Sequence, residues 1–177
     1  LKMAPVHRRA DLSPGLKQEA AVSILIIHSD EKECILIKRP EYNGHHSGQV
    51  SFPGGKQESG DNSLMHTAIR ETYEEIGIQL RAEDLIGAIT PLFIPVSRFM
   101  VYPYIFMIPA VNLFRLDTTE VAYLIKFHIK QLLDTSKIRH TQFHFDDYTV
   151  TTPYYKIKKE KVWGATAMIL SEFAAIL

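Results

Sequence analysis

Arg70-Glu71-Thr72-Tyr73-Glu74-Glu75-Ile76-Gly77 is the stretch on which the reading of this chain turns. Wound at about 100° per residue from Leu64, the residues Ala68, Thr72, Met65, Ile76 and Ile69 spread over roughly 140° and form the face that packs on a sheet. Glu74, Glu71 and Glu75 form an adjoining stripe, with Glu75 against the apolar margin. Asp61-Asn62-Ser63 supplies capping side chains and Gly77 a stop, so the spacing predicts a helix from about Asn62 to Ile76. Glu71 and Glu75 repel as i, i+4 like charges, and the residues four beyond the three glutamates are Glu75, Ile78 and Gln79, none of them basic. Only Arg70 can pair forward, with Glu74. Carboxylate oxygens crowded in this way suit a hard divalent cation, Mg²⁺ or Mn²⁺. A bare E-x-x-E-E also describes a solvated helix face, so the surroundings have to decide between the two.

Upstream, Ser51-Phe52-Pro53-Gly54-Gly55-Lys56 brings paired glycines that permit a tight turn and a close backbone approach to the helix. Before that, 40–60 is rich in Gly, Ser, His and Pro and reads as a shaped loop region with a small strand at Val50-Ser51-Phe52. The β-branched runs at 20–28 and 34–38 flank the polar turn Ser29-Asp30-Glu31-Lys32 and predict a hairpin with a buried strand. Downstream, 85–94 and 99–109 read as strands joined by Pro95-Val96-Ser97-Arg98, and 121–133 is open between strand and short helix. The run 141–155 has the content of one or two further strands, and 166–177 reads as a closing helix. Strands interleaved with two helices, without regular βαβ alternation, predict an α/β architecture with a mixed sheet covered by helices. Neither G-x-G-x-x-G nor G-x-x-x-x-G-K-[ST] occurs, which removes those two nucleotide cradles.

The 177 residues suit one domain, 1–177. Apolar residues at 46% and charged residues at 23% exclude a disordered or fibrous chain. Twenty basic and twenty acidic side chains cancel, so there is no general attraction to nucleic acid or anionic lipid, and an anionic partner must be held locally. Cys34, the single cysteine, rules out an internal disulfide and makes the cytoplasm the expected compartment. No apolar run approaches the ~20 residues that span a bilayer. The histidines, including the adjacent His45 and His46, read as structural or surface groups. Trp163 and the aromatic residues from Phe143 to Tyr155 read as packing residues.

With these residues in view, the sequence resembles the Nudix hydrolase family, whose box is G, five residues, E, seven residues, R-E-U-x-E-E-x-G-U, where U is bulky and apolar. Gly55, Arg70, Glu71, Glu74, Glu75, Gly77 and Ile78 match it. Asp61 stands where the first Glu belongs, eight residues rather than seven separate it from Arg70, and Thr72 takes a bulky position. A second likeness is to the coenzyme A diphosphatase branch, with its signature L-L-T-x-R-[SA], three residues, R, three residues, G, three residues, F-P-G-G. Ile35-Leu36-Ile37-Lys38-Arg39-Pro40 followed by Gly48-Gln49-Val50-Ser51-Phe52-Pro53-Gly54-Gly55 keeps its spacing, with Ile37, Pro40 and Gly44 as departures. Met3-Ala4-Pro5 and Trp163-Gly164-Ala165-Thr166-Ala167 are similar to this branch as well.

The resemblance implies the Nudix fold, a mixed sheet sandwiched between helices, and hydrolysis of a small-molecule diphosphate, coenzyme A or a derivative, to 3′,5′-ADP and 4′-phosphopantetheine. It implies that Glu71, Glu74 and Glu75, with the Gly55 carbonyl, hold one to three Mg²⁺ or Mn²⁺ ions. Any box glutamate could serve as general base, and Glu120 is the candidate outside the helix. Arg70 is assigned to bracing the loop. Arg39 and Lys56, with the Gly54-Gly55 backbone, are candidates to meet phosphates. Two alternatives stand beside this: a Nudix hydrolase of another nucleoside diphosphate derivative (NADH, an ADP-sugar or a non-standard nucleoside triphosphate), and a non-catalytic ligand-binding module. The expected assembly is a monomer or homodimer.

Overall fold

Along the first long strand, β1 (Gln18–Ile27), side chains alternate between two apolar layers. Ala21, Leu25 and Ile27 join one buried cluster and Ala20, Ile24 and Ile26 the other. A strand with both faces apolar needs cover on both sides. The next strand, β2 (Glu33–Lys38), repeats the pattern, with Ile35 and Ile37 on the first side and Cys34 and Leu36 on the second. A computed structural model of the chain describes Met3 and residues 18–41, 47–110, 113–145 and 148–177; Ala4, Pro5, Gly44, His45 and His46 lie outside them.

The hairpin of β1 and β2 forms as the alternation predicts, with Leu25 opposite Ile35 and Ile27 opposite Glu33. The remaining strands of the main sheet are β3 (Val50–Ser51), β4 (Gly54–Lys56), β5 (Leu85–Ala88), β6 (Leu92–Ile94), β7 (Phe99–Ile108) and β8 (Tyr123–His128). β1 and β7 run parallel and the other pairs antiparallel, so the sheet is mixed. The continuous strand expected over 85–94 is two strands, both paired with β7. Pro91 between them has no N–H for the ladder. The ambiguous 121–133 is β8 followed by a single 3₁₀ turn at Ile129–Leu132.

Helix α1 (Leu64–Ile76) covers the first face. Ser63 caps it by accepting the His66 N–H, and Gly77 ends it in the left-handed region at φ 73°. A β-carbon on Gly77 would also press into the Arg115 backbone. Helix α2 (Gly164–Ala174) covers the second face, buried through Ala167, Met168, Ile169, Leu170 and Phe173. Beside α2 lies a separate antiparallel sheet of β9 (Ile138–Phe145), β10 (Tyr148–Ile157) and β11 (Glu160–Trp163). Sequence reading finds no β11, because its hairpin turns on Lys158-Lys159 with Lys158 at φ 52° and lacks the Asn-Gly or Asp-Gly pair that usually marks such a turn. Phe143 and Trp163 do pack together, ring centroids 4.6 Å apart. Cys34 is a core side chain whose thiol burial pushes up to about 12. No helix among the described residues is long and apolar enough to cross a membrane.

Thr72 occupies a position read as calling for a bulky apolar residue, and the packing explains it. Its hydroxyl lies 2.8 Å from Ser23 Oγ on β1 and 2.7 Å from the Ala68 carbonyl, and the Ser23 hydroxyl donates to that carbonyl at 3.1 Å. Both side chains are fully buried. This polar staple sets the rotation and height of α1 over the sheet, one turn from Glu75. Removing either hydroxyl breaks the Ser23–Thr72 bond and leaves the other with the Ala68 carbonyl alone, and is expected to cost about 1 kcal/mol. The double change Ser23→Ala with Thr72→Val is expected to cost less than the two singles together, because the bond the two hydroxyls share is lost only once. Urea unfolding of the three variants checks this, and strict additivity would remove the staple from the account.

Candidate active site

The Gly54-Gly55 segment runs against α1 at its carboxylate stripe. The Gly54 N–H donates to Glu75 Oε2 at 2.9 Å. A β-carbon on Gly55 would lie 2.5 Å from the carboxyl carbon of Glu71, so a larger residue there would push that carboxylate out of its place. The paired glycines of the sequence thus serve two different glutamates, one through a backbone donor and one through missing bulk.

Arg70 braces this contact from below. Its Nε and Nη2 both donate to the Asp61 carboxylate, each at 3.0 Å, and Nη2 also donates to the Lys56 carbonyl at 3.1 Å. Asp61 further accepts the Thr67 hydroxyl at 2.9 Å and the Glu58 N–H at 2.9 Å. Its side chain is 1% exposed, and the Arg70 guanidinium holds its carboxyl well below the usual carboxylate range. The shorter acid therefore performs the bracing for which the box has Glu. Arg70 Nη1 reaches Glu71 at 2.9 Å and Glu74 at 2.8 Å, the forward pair read from the sequence.

Glu75 is the unusual member. Its side chain is 2% exposed, and Oε1 has no hydrogen-bond partner among the described residues. Burial pushes its carboxyl up to about 8; the Gly54 N–H and Arg39 pull it back, and the charges of Glu71 and Glu120 push it further. Burial also raises Glu71, partly offset by Arg70. Glu74 is 55% exposed.

Two residues remote in sequence complete the site. Arg39, just past the end of β2, places Nη1 3.8 Å from Glu75 Oε1 and Nη2 3.3 Å from Glu120 Oε2. Glu120 is brought there by the segment 113–122, which the last turn of α1 holds: Arg115 N–H donates to the Ile76 carbonyl at 3.1 Å and Asp117 N–H to the Glu75 carbonyl at 3.0 Å. Asp117 then accepts the Thr119 N–H and hydroxyl, turning the chain toward Val121. This clamp was not read from the sequence; the Asp-x-Thr spacing at 117–119 is the local signal for it. Lys56 contributes its carbonyl, while its side chain is exposed and forms no ion pair among the described residues.

Among the described residues no three Asp, Glu, His or Cys side chains converge as a ready ligand set. Like charges on one helix face separate, and each turns to its nearest guanidinium, Glu71 and Glu74 to Arg70 and Glu75 to Arg39. The donor chemistry still fits a hard divalent cation, since a buried carboxylate oxygen without a hydrogen bond lies beside a second desolvated carboxylate and a glycine backbone.

Comparison with known proteins bears on the same residues. The model of the NUDIX domain matches residues 17–147. The chain is 33% identical over 159 residues to the uncharacterized Nudix hydrolase NudL of Yersinia pestis, covering 89% of this chain and 78% of that protein. Among solved structures, a MutT/nudix family protein from Enterococcus faecalis superposes with a TM-score of 0.60 at 17% identity, over 96% of this chain and 66% of that one. The NUDIX domain of Shewanella oneidensis NrtR, complexed with ADP ribose, does so with a TM-score of 0.53 at 14% identity, over 71% and 82%. The two structures speak for the fold alone; the domain match and the identity to NudL go further, and by them the chain belongs to the Nudix family as a hydrolase of pyrophosphate bonds.

Proposed function

We propose that this chain is a cytoplasmic enzyme that uses Mg²⁺ or Mn²⁺ to hydrolyse the diphosphate of coenzyme A or a derivative, giving 3′,5′-ADP and 4′-phosphopantetheine. The observation that carries the chemistry is the buried Glu75 with its unused Oε1, set among Glu71, Glu120 and Arg39. Glu71, Glu74, Glu75 and the Gly55 carbonyl are the groups that would hold the cation. When bound, it supplies charge withdrawal from the phosphoryl oxygens and a more acidic water.

The chain's own residues do the rest. Arg39 presents a two-pronged guanidinium to phosphoryl oxygens. Arg70 and Asp61 keep the Gly54-Gly55 backbone pressed on the helix. Glu120, 49% exposed and at the mouth of the site, takes the proton of the attacking water.

The substrate rests on the branch signature, and the structure supports this by explaining two of its departures. Ile37 is fully buried under α1, so exchanging Thr for Ile there alters packing rather than a substrate contact. Pro40 uses its carbonyl to accept the Gly48 N–H at 3.0 Å, a role indifferent to its side chain.

A panel of coenzyme A, NADH, an ADP-sugar and a non-standard nucleoside triphosphate with Mg²⁺, followed by product analysis, tests the reading. Release of 3′,5′-ADP from coenzyme A is expected. Turnover of another compound without coenzyme A rejects the substrate. If Glu74→Gln kept full ligand binding and no compound gave product even with Mn²⁺, the chain would be a binding module.

A further inference from the structure

We propose that Arg39 and the divalent cation compete for the same face of Glu75, so that Arg39 couples cation uptake to the arrival of the diphosphate. This rests on the function proposed above and assigns Arg39 a second role within it.

The ion pair of Arg39 with Glu75 is a poor fit. At 3.8 Å, Nη1 and Oε1 stand beyond hydrogen-bond reach. Arg39 Nε and Glu75 Oε1 are both buried, and among the described residues both lack a hydrogen-bond partner. A guanidinium and a carboxylate in loose contact, each with a buried atom unsatisfied among the described residues, is an arrangement that each would leave for a better partner. For Glu75 Oε1 that partner is a hard cation, and for the guanidinium it is a pair of phosphoryl oxygens.

Neither exchange is favourable alone. A divalent cation settling on Glu75 meets the positive charge of Arg39, which among the described residues has only Glu120 to fall back on. A diphosphate arriving first adds negative charge beside Glu71, Glu75 and Glu120. Together the two ligands give every group a partner of opposite sign, so each raises the affinity of the other by the same factor. Glu120 is built to receive Arg39 during the exchange, because its segment is tied through Arg115 and Asp117 to the α1 carbonyls rather than through Arg39.

The test uses the full chain, Mn²⁺ followed by electron paramagnetic resonance, and α,β-methylene-ADP as a nucleotide with an uncleavable bridge. Wild type is expected to take up Mn²⁺ weakly alone and more tightly with the nucleotide. Arg39→Gln is expected to bind Mn²⁺ alone about tenfold more tightly, within the usual range for coupled sites, to lose the gain from the nucleotide, and to raise KM. Arg39→Lys keeps the charge without the fork; Mn²⁺ affinity near wild type with the nucleotide gain lost is expected, and this variant carries the test if Arg39→Gln does not fold. Equal Mn²⁺ affinity and an equal nucleotide gain in wild type and Arg39→Gln would overturn the coupling and leave the proposed function standing. Absence of Mn²⁺ uptake by every form, with or without nucleotide, would overturn both.

Discussion

Glu75→Gln is expected to lower kcat by about a thousandfold and to leave the protein at least as stable as wild type. Catalytic acid-base and charge-stabilising groups each contribute two to four orders of magnitude, so about 10³ is the central expectation for a group at this position. Stability moves the other way because burial disfavours the Glu75 carboxylate, so that folding must either bury its charge or take up a proton. Among the described residues its Oε1 has no hydrogen bond, and the guanidinium paired with it stands 3.8 Å off. Glutamine keeps the shape and the acceptor for the Gly54 N–H and removes the charge.

The pH dependence follows from the same group. Burial raises the Glu75 carboxyl from 4.5 to about 8, so in the absence of cation the folded protein holds a proton that the unfolded chain releases. The resulting stability is fully present below about pH 4.5 and is lost as pH rises through about 8. Glu71, raised in the same direction, adds to the slope. Added Mg²⁺ is expected to reverse this, because a cation binds the ionised form. Thermal midpoints at pH 5.5, 7 and 8.5, in chelator and in Mg²⁺, check both signs. A variant with kcat within tenfold of wild type, or one that melts well below it, would remove Glu75 from the centre of the site.

Asp61→Ala is expected to cost about 3–5 kcal/mol, the range for deleting one partner of a buried ion pair. Four donors converge on this carboxylate, two from Arg70, one from Thr67 and one from Glu58. Without it the Arg70 guanidinium is left half-buried among groups it satisfies only in part, and its hold on the Lys56 carbonyl slackens. The Gly54-Gly55 segment then drifts from Glu71 and Glu75, and misplacement on this scale lowers turnover by about 100-fold. The pH sign is opposite to that of Glu75. The Asp61 carboxyl is depressed, so its contribution is present above the ordinary carboxylate range and is lost as pH falls through the lower folded value. Urea unfolding at pH 7 and pH 3.5 measures it; a loss under 1 kcal/mol at pH 7 would mean that the bridge is incidental.

The helix was readable from local rules alone. Ser63, the apolar repeat and Gly77 lie within a few turns of one another, and a cap, a period and a left-handed stop act over that range. The hairpin of β1 and β2 was legible for the same reason. The split between β5 and β6 and the strand β11 were not. The first depends on where β7 offers partners on either side of Pro91, the one mark of it in the sequence, and the second on a lysine accepting positive φ, which leaves no mark in composition.

The site divides along the same line. Winding the sequence into a helix is enough to put Glu71, Glu74 and Glu75 on one stripe and to pair Arg70 with Glu74, because helix geometry is the same wherever the helix lies. It sets Glu75 against the apolar margin but leaves open how completely it loses its water, because desolvation is a property of neighbours. Folding brings Gly54 from the loop, Arg39 from the end of β2 and Glu120 from a segment clamped to the last turn of α1, and their positions make Glu75, rather than Glu74, the buried carboxylate.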